Sequence, residues 1–256
     1  MIRDFDTQMV FCFGSNLRGR HGAGAARDAV QRFGAIEGQG EGLQGDSYAI
    51  PTKDAQIKTL PLDQIGEHVA RFIEFTRTHA DKTFQVTRIG CGLAGYKDTD
   101  IAPLFKDAPD NVLLPGIWER QRGRQVARII VAGSRDFEDA DFAFPRISHM
   151  LSRVPDGLEI ISGGARGADA IGEAWAQANG VQCVRFPAEW NKYKKRAGFI
   201  RNAQMGWYST HLIAFWDGKS PGTKGMIDFA RENGLQVKVF QTPPLVQKKP
   251  IAYKGL

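Results

Sequence analysis

The sequence of 256 residues contains few cysteines and no long apolar run. Cys12, Cys91 and Cys183 lie far apart and show no metal-ligand spacing, so we expect reduced thiols and no bound metal. No segment approaches the roughly 18 apolar residues of a membrane span, and the N-terminus lacks the architecture of a signal peptide. These absences predict a cytoplasmic protein with no membrane partner.

Basic residues are in excess, and the formal net charge is +6. Much of this excess lies in residues 120–128, in residues 192–201 and in the tail that starts at Lys248. A basic surface favours anionic ligands. A moderate excess is common among soluble proteins, however, and does not by itself indicate nucleic-acid binding.

Strand and helix patterns alternate along the second half of the chain, which is typical of a doubly wound parallel sheet of the Rossmann-like kind. We interpret the charged segment 119–126 as a linker. The sequence therefore predicts an α/β protein with two domains, residues 1–118 and 127–242, followed by a tail at 243–256. The predicted strands lie near 127–132, 158–162, 181–186, 211–216 and 236–240, and the predicted helices near 141–153, 167–179, 197–208 and 223–233.

The segment Ser162–Asp169 carries the clearest chemical signal, because a strand pattern precedes it and a helix pattern follows it. Glycines there, including Gly163 and Gly164, allow the backbone to approach a phosphate closely. The unpaired N–H groups of a first helical turn also attract anions. This arrangement predicts a nucleotide-handling site.

Two further strand patterns end in small or polar residues. One runs into Gly133, Ser134 and Arg135, and the other into residues 217–223, which include Gly222 and Thr223. In open parallel sheets, ligands bind outside the carboxyl ends of the strands. We therefore expect these segments to line one crevice.

The first half also shows glycine-rich loops after strand patterns. A strand over 8–13 ends at Gly14-Ser15-Asn16, and a helix then runs from residue 22 to Phe33. A glycine-rich loop at 38–45 precedes a strand over 47–51. A helix over 62–78 and a strand over 85–89 lead into the glycine loop 90–96.

The second half resembles the YspA/YpsA-type branch of the SLOG superfamily, whose Rossmann-like domains are related to DprA and to the LOG phosphoribohydrolases. Five blocks carry the resemblance, in the order of the family: 133–137, 162–169, 186–190, 197–202 and 220–223. The resemblance implies binding of nucleotides or NAD-derived ligands, in nucleotide signalling or phage–host conflict.

Residues 8–117 resemble a macrodomain, an α/β/α module that binds ADP-ribose with its diphosphate between two glycine-rich loops. The matching features are residues 14–16, the helix start at 22–26, Ile50-Pro51 and the block 89–93. The resemblance implies that Asn16 lies near the distal ribose. It implies one phosphate loop at Gly22, Ala23 and Gly24 and a second that includes Gly90, Gly92 and Gly95.

Both halves depart from the catalytic patterns of the families they resemble. Ala94 stands where the macrodomains that remove ADP-ribose from carboxylates have an acid, while Lys53 matches their lysine and Asp98 lies nearby. Met226 stands where LOG enzymes have a glutamate. Lys53 and Asp98 are therefore the only catalytic candidates, and whether the protein is an enzyme is left open.

Four polar side chains of the second half are candidates for ligand contacts. Arg135 and Arg201 offer planar forks of donors that suit a phosphate. Asp169 and Asn202 suit ribose hydroxyls or a base edge, although Asp169 at a helix start is equally suited to capping backbone N–H groups. A surface salt bridge is the competing interpretation for each arginine.

The sequence thus favours a protein that binds, and if active hydrolyses, an ADP-ribose-like or other NAD-derived nucleotide through attack of water on an anomeric carbon. No further cofactor is expected. The alternatives are a single-stranded DNA-binding protein like DprA and a LOG-like nucleotide phosphoribohydrolase. A small nucleotide is the favoured partner over nucleic acid, and self-association as a homo-oligomer is left open.

Overall fold

A computed structural model describes residues 2–4, 9–121, 127–152, 154 and 157–242. Most of the expected linker and the whole tail at 243–256 lie outside the described residues. The strands are β1 Ile2–Asp4, β2 Val10–Asn16, β3 Gly42–Gln44, β4 Ser47–Lys53, β5 Phe84–Val86, β6 Val112–Leu113, β7 Arg128–Gly133, β8 Glu159–Ser162, β9 Gln182–Arg185, β10 His211–Trp216 and β11 Gln236–Gln241. The helices are α1 Gly24–Arg32, α2 Leu62–Thr78, α3 Asp98–Ile101, α4 Gly116–Gln121, α5 Ala140–Leu151, α6 Ala168–Ala178, α7 Trp190–Tyr193, α8 Ala197–Tyr208 and α9 Pro221–Glu232.

The larger sheet has the strand order β1-β9-β8-β7-β10-β11, and all its pairings are parallel. Near-continuous apolar strands such as Ile129–Val131 are buried on both faces, as parallel sheets require. Helices α5 and α6 cover one face, and α8 and α9 cover the other. The chain reverses its direction of winding between β7 and β10, so a crevice opens at their carboxyl ends.

The smaller sheet has the order β3-β4-β2-β5-β6, in which only the β3–β4 pairing is antiparallel. Helix α2 packs its apolar side, including Ile65, Val69 and Phe72, on one face. Helix α1 covers the other face and contacts Phe11 and Phe13. This layering places the carboxyl ends of β2, β4 and β5 at one edge.

The two sheets are joined by shared elements. Helix α8 packs Met205 and Tyr208 on the larger sheet and Ile200, Ala203 and Trp207 on the core of the smaller one. Strand β1 pairs with β9, so the first described residues of the chain belong to the larger sheet. The predicted boundary at residue 118 therefore does not separate the sheets cleanly along the sequence, and the domain limits stay a prediction.

The predicted α/β class, with a doubly wound parallel sheet in the second half, is confirmed. The structure differs in its short elements, since the sequence patterns do not predict β1, β3, β6, α3, α4 or α7. Residue 119, expected to begin the linker, lies in α4 with its side chain buried. No helix within the described ranges is long and apolar enough to cross a membrane.

Candidate functional site

A cavity of about 430 Å³ opens at the carboxyl ends of β2, β4 and β5, and we call it the first cavity. Its size falls in the range of about 300–1,000 Å³ that is usual for small-molecule sites. The expected ligand residues that line it are Asn16, Gly22, Ala23, Gly24, Gly90 and Gly92.

Unpaired backbone N–H groups border the first cavity on two sides. The start of α1 has no side-chain cap, and Gly24, Ala25 and Ala26 of its first turn line the cavity. On the other side, the N–H groups of Gly92, Leu93 and Ala94 donate to no described residue. Such groups stabilise a bound anion.

The lining also leaves room for close approach of a ligand. A Cβ atom at Gly22, Gly24 or Gly92 would meet no atom within 4 Å. The backbone can therefore contact a ligand directly at these glycines.

The charge of the first cavity is positive. Arg20, Lys53 and Arg88 line it, and no carboxylate does among the described lining residues. Arg88 is paired with Asp98, whereas Arg20 and Lys53 form no ion pair within the described part of the chain.

Sequence reasoning missed Arg20, whose position depends on Asn16. Asn16 is buried, accepts a hydrogen bond from the Arg20 N–H at 3.0 Å and donates one to its carbonyl at 2.6 Å. The side chain expected near a ribose therefore holds the loop that presents Arg20. An asparagine followed four residues later by arginine, before a glycine-rich helix start, is the signal that could have indicated this.

The two catalytic candidates are placed differently. Lys53 ends β4 and lines the first cavity. Asp98 does not line it, because its carboxylate accepts hydrogen bonds from Arg88 and Trp118. Gly95 also lies off the lining, and its N–H donates to the Gly92 carbonyl at 2.9 Å.

A second cavity of about 540 Å³ lies at the carboxyl ends of β7 and β10, where the winding reverses. This is the crevice expected from the glycine-ended strands. The expected ligand residues Gly133, Ser134, Arg135, Asp169, Arg201, Asn202, Gly222 and Thr223 line it.

The expectation that the turn after β8 binds a phosphate needs a correction, because the N–H groups of this turn already donate hydrogen bonds within the protein. Gly163 donates to Asp169 at 3.1 Å and Gly164 donates to the Ser162 hydroxyl at 3.0 Å. Ala165 also donates to Asp169, at 3.4 Å. Neither Gly163 nor Gly164 lines the second cavity. Asp169 therefore caps the turn, and the two glycines do not offer free donors to a phosphate.

Arg201 is buried beside this turn and is not a free surface clamp. It donates to the Gly163 carbonyl and, through Nε, to the Asn202 side chain at 2.9 Å, and it lies 4.0 Å from Asp169. Burial lowers the pKa of Arg201, and the nearby charge of Arg135 lowers it further, although Asp169 opposes both effects. Burial also raises the pKa of Asp169 despite its bonds to Ala165 and Gly163 and the charge of Arg201.

Donors remain available elsewhere in the second cavity. The start of α9 has no side-chain cap, and Gly222 and Thr223 line the cavity there. Arg135 and Lys219 form no ion pair with a described residue, while Asp136 is paired with Arg166. Asp217 accepts hydrogen bonds from the backbone N–H groups of Ser220 and Lys219, which lowers the pKa of Asp217. The second cavity thus presents two unpaired cations beside a helix start.

No group of three or more histidine, cysteine, aspartate or glutamate side chains within the described ranges could hold a metal ion.

These two cavities lie on an α/β scaffold in which small residues end the strands, the arrangement of a protein with a Rossmann-like ligand crevice. Residues 127–193 match the YspA, cpYpsA-related SLOG family, so the prediction of a SLOG domain is confirmed for this part of the second half. The chain belongs to the same family as Gene 61 protein of Mycobacterium phage D29. It is 32% identical to that protein over 123 residues, which are 46% of this chain and 98% of the phage protein.

A solved structure is similar to part of the chain. It is the X-ray structure of DNA processing protein A (DprA) from Streptococcus pneumoniae, with 17% sequence identity and a TM-score of 0.40. The similarity covers 47% of this chain and 52% of that one, about half of each.

Proposed function

We propose that the protein binds an ADP-ribose-like or other NAD-derived nucleotide, with its pyrophosphate in the first cavity. The observation that carries the proposal is the composition of the lining. Three cations and no described carboxylate face a space bordered by two sets of unpaired N–H groups.

Two separate sets of donors suit a pyrophosphate better than a single phosphate. The loop 92–94 would hold one phosphate, and the first turn of α1 would hold the other. Arg20 supplies the planar fork that a phosphate oxygen pair accepts. This assignment agrees with the resemblance of residues 8–117 to a macrodomain, which is itself part of the proposal.

Recognition is favoured over hydrolysis. Hydrolysis of a glycosidic bond calls for a group placed to activate water or protonate the leaving group. Lys53 is at the cavity, but Asp98 is held by Arg88 and Trp118 outside it. The protein therefore acts as a nucleotide-binding module, and the second cavity, with Arg135 and Lys219, is a second site for a phosphate-bearing ligand.

Calorimetric titration with ADP-ribose tests the first cavity. Replacing Arg20 by alanine removes a charged hydrogen-bond donor, so we expect binding about 10- to 150-fold weaker. The matched control is Arg18→Ala, an exposed neighbour that does not line the cavity. Gly92→Val places a side chain in the open space and should abolish binding.

Equal effects of Arg20→Ala and Arg18→Ala would contradict this assignment. The second cavity is tested in the same way with Arg135→Ala against Arg231→Ala, an exposed arginine at the other end of α9. If Arg135→Ala abolishes ADP-ribose binding while Arg20→Ala leaves it intact, the ligand binds in the second cavity. Mass spectrometry of the incubated nucleotide should show it unchanged, and release of free ribose phosphates or base would contradict recognition without hydrolysis.

A further inference from the structure

An exposed surface that combines aromatic and basic side chains lies at the start of α8. We call it the basic–aromatic patch and define it as Trp190, Lys194, Lys195, Arg196 and Phe199. Residues 190–202 contain five cations, at 192, 194, 195, 196 and 201, and neither aspartate nor glutamate. The patch borders the second cavity but is not part of its lining.

The two aromatic rings of the patch are open to solvent. The exposed fraction is 53% for Trp190 and 65% for Phe199, and no other aromatic residue is among the exposed large hydrophobic residues of the described chain. A methyl group at Gly198 would lie 3.7 Å from Cη2 of Trp190, so the indole lies beside the residue that precedes Phe199. Each exposed ring offers a face on which a flat group can stack.

The cations of the patch are largely free of carboxylates. Lys194 and Lys195 form no ion pair within the described ranges, and Arg196 donates to the Gln31 amide oxygen at 3.2 Å. The two cations of this segment that have a carboxylate partner both lie outside the patch: Lys192 pairs with Asp46 at 3.1 Å, and Arg201 lies 4.0 Å from Asp169. Three exposed charges of one sign therefore lie between the two exposed rings along the chain.

The backbone at Lys194 supports a role beyond folding. Its φ of +49° lies in the left-handed region, where residues other than glycine are uncommon. A glycine would satisfy this turn without strain. A lysine held there places its charge in the patch at a cost to the fold, which is a pattern typical of functional positions.

The patch continues along α8 into the second cavity. Phe199 and Asn202 are three residues apart on the helix and are therefore neighbours on its surface. Asn202 lines the second cavity, whereas Phe199 faces solvent. A chain of nucleotides on the patch could thus extend toward the unpaired Arg135 and Lys219.

We propose that the basic–aromatic patch binds single-stranded nucleic acid. Successive bases stack on Trp190 and Phe199, while Lys194, Lys195 and Arg196 contact the phosphates. A single strand is favoured over a duplex because its bases can unstack and lie on the rings. This inference goes beyond the binding of a small nucleotide and does not require either cavity to hold one.

Fluorescence anisotropy with a labelled oligothymidylate of about twelve nucleotides tests the proposal, since this length spans the usual site sizes. Phe199→Ala or Trp190→Ala should weaken binding by about 5- to 150-fold, the usual effect of losing one base stack. Plots of log affinity against log salt should have a slope of about −1.5 to −2, set by two to three phosphate contacts. Arg231→Gln, which removes an exposed charge far from the patch, is the control and should change neither quantity.

Lys194→Gly separates function from folding. The variant removes the strained lysine, so its melting temperature should equal or exceed that of the parent, while its salt slope becomes shallower by about 0.7. Calorimetry with ADP-ribose should be unchanged in all patch variants, which keeps this test independent of the first cavity.

Three results would overturn the proposal. The first is an absence of oligonucleotide binding at low salt. The second is equal affinity for a duplex and a single strand, since this would leave the rings without a role. The third is binding to vesicles that contain anionic lipid, lost in Phe199→Ala, without binding to the oligonucleotide.

Discussion

Asp98 accepts hydrogen bonds from two parts of the first half of the chain. Arg88 donates from Nε at 2.9 Å and from Nη2 at 2.5 Å, and Trp118 donates from Nε1 at 2.7 Å. Burial alone would raise the pKa of Asp98, but the hydrogen bonds from Arg88 and Trp118 outweigh it and hold the pKa below its ordinary value. The carboxylate is therefore stabilised as an anion and has a structural role.

Replacement of Asp98 by asparagine should lower the free energy of unfolding. The variant leaves the Arg88 guanidinium, which is mostly buried, without its anionic acceptor. Loss of a charged hydrogen bond of this kind costs about 1.5–3 kcal/mol. Urea unfolding at neutral pH measures the difference, and Asp136→Asn, which breaks an exposed pair with Arg166, should cost less than about 1 kcal/mol.

The same difference should depend on pH in a defined direction. Because the pKa of Asp98 is lower in the folded state than in the unfolded state, its stabilisation is complete above about pH 4 and is lost as the pH falls through the folded value. The gap between the parent protein and Asp98→Asn should therefore shrink below pH 4. A gap that stays constant into that range would contradict the assigned pair.

At the residue scale, the position of a residue at a cavity is easier to predict from the sequence than the contacts that its side chain makes. Strand ends can be recognised from apolar runs followed by glycine, and Gly133, Ser134 and Arg135, which follow such a run, line the second cavity. The hydrogen-bond partners of Asp169 and Arg201 depend on how the turn after β8 packs against α8. Gly163 and Arg201, which are in contact there, are 38 residues apart in the sequence. No local pattern contains that contact.

Helix α6 approaches strand β7 unusually closely at Gly172. A Cβ atom there would lie 2.7 Å from Cβ of Val131, a side chain that is fully buried. Valine is branched at this atom and cannot turn away. The glycine therefore sets the distance between the helix and the sheet.

Gly172→Ala should destabilise the protein although alanine is the better helix former. The overpacked methyl group costs about 1–3 kcal/mol. The higher helix propensity of alanine returns about 1 kcal/mol at most, so the net change is a loss of stability. Gly225→Ala is the matched control, because a Cβ at this position of α9 meets nothing within 4 Å. We expect it to stabilise the protein by up to about 1 kcal/mol, measured by urea unfolding. Stabilisation by both substitutions would contradict the close approach.

At the element scale, the long elements were predictable and the short ones were not. The helix at 62–78 and the strand at 211–216 match their predicted limits, since each shows a sustained apolar period. Strands β1, β3 and β6 have only two or three residues each. Their existence depends on a neighbouring strand edge and not on a local pattern.

The two halves also meet through two hydrogen bonds, one to helix α8 and one to helix α9. The Gln85 side chain donates to the Gln204 carbonyl at 3.0 Å, and Arg88 donates to the Glu232 carbonyl at 3.1 Å. Arg88 lines the first cavity, and Glu232 ends the helix whose first turn lines the second. A lining residue of the first cavity is thus hydrogen-bonded to the far end of the helix whose start lines the second cavity.

At the scale of the whole molecule, we propose that main-chain N–H groups around the first cavity hold a pyrophosphate. The most direct measurement is an ¹H–¹⁵N correlation spectrum of the protein titrated with ADP-ribose, because it reports each amide separately. We expect the largest shifts at residues 24–26 and 92–94, with the amides of Gly163 and Gly164 unchanged. Shifts confined to residues 133–135 and 222–223, or no shift at a saturating concentration, would contradict binding of a pyrophosphate in the first cavity.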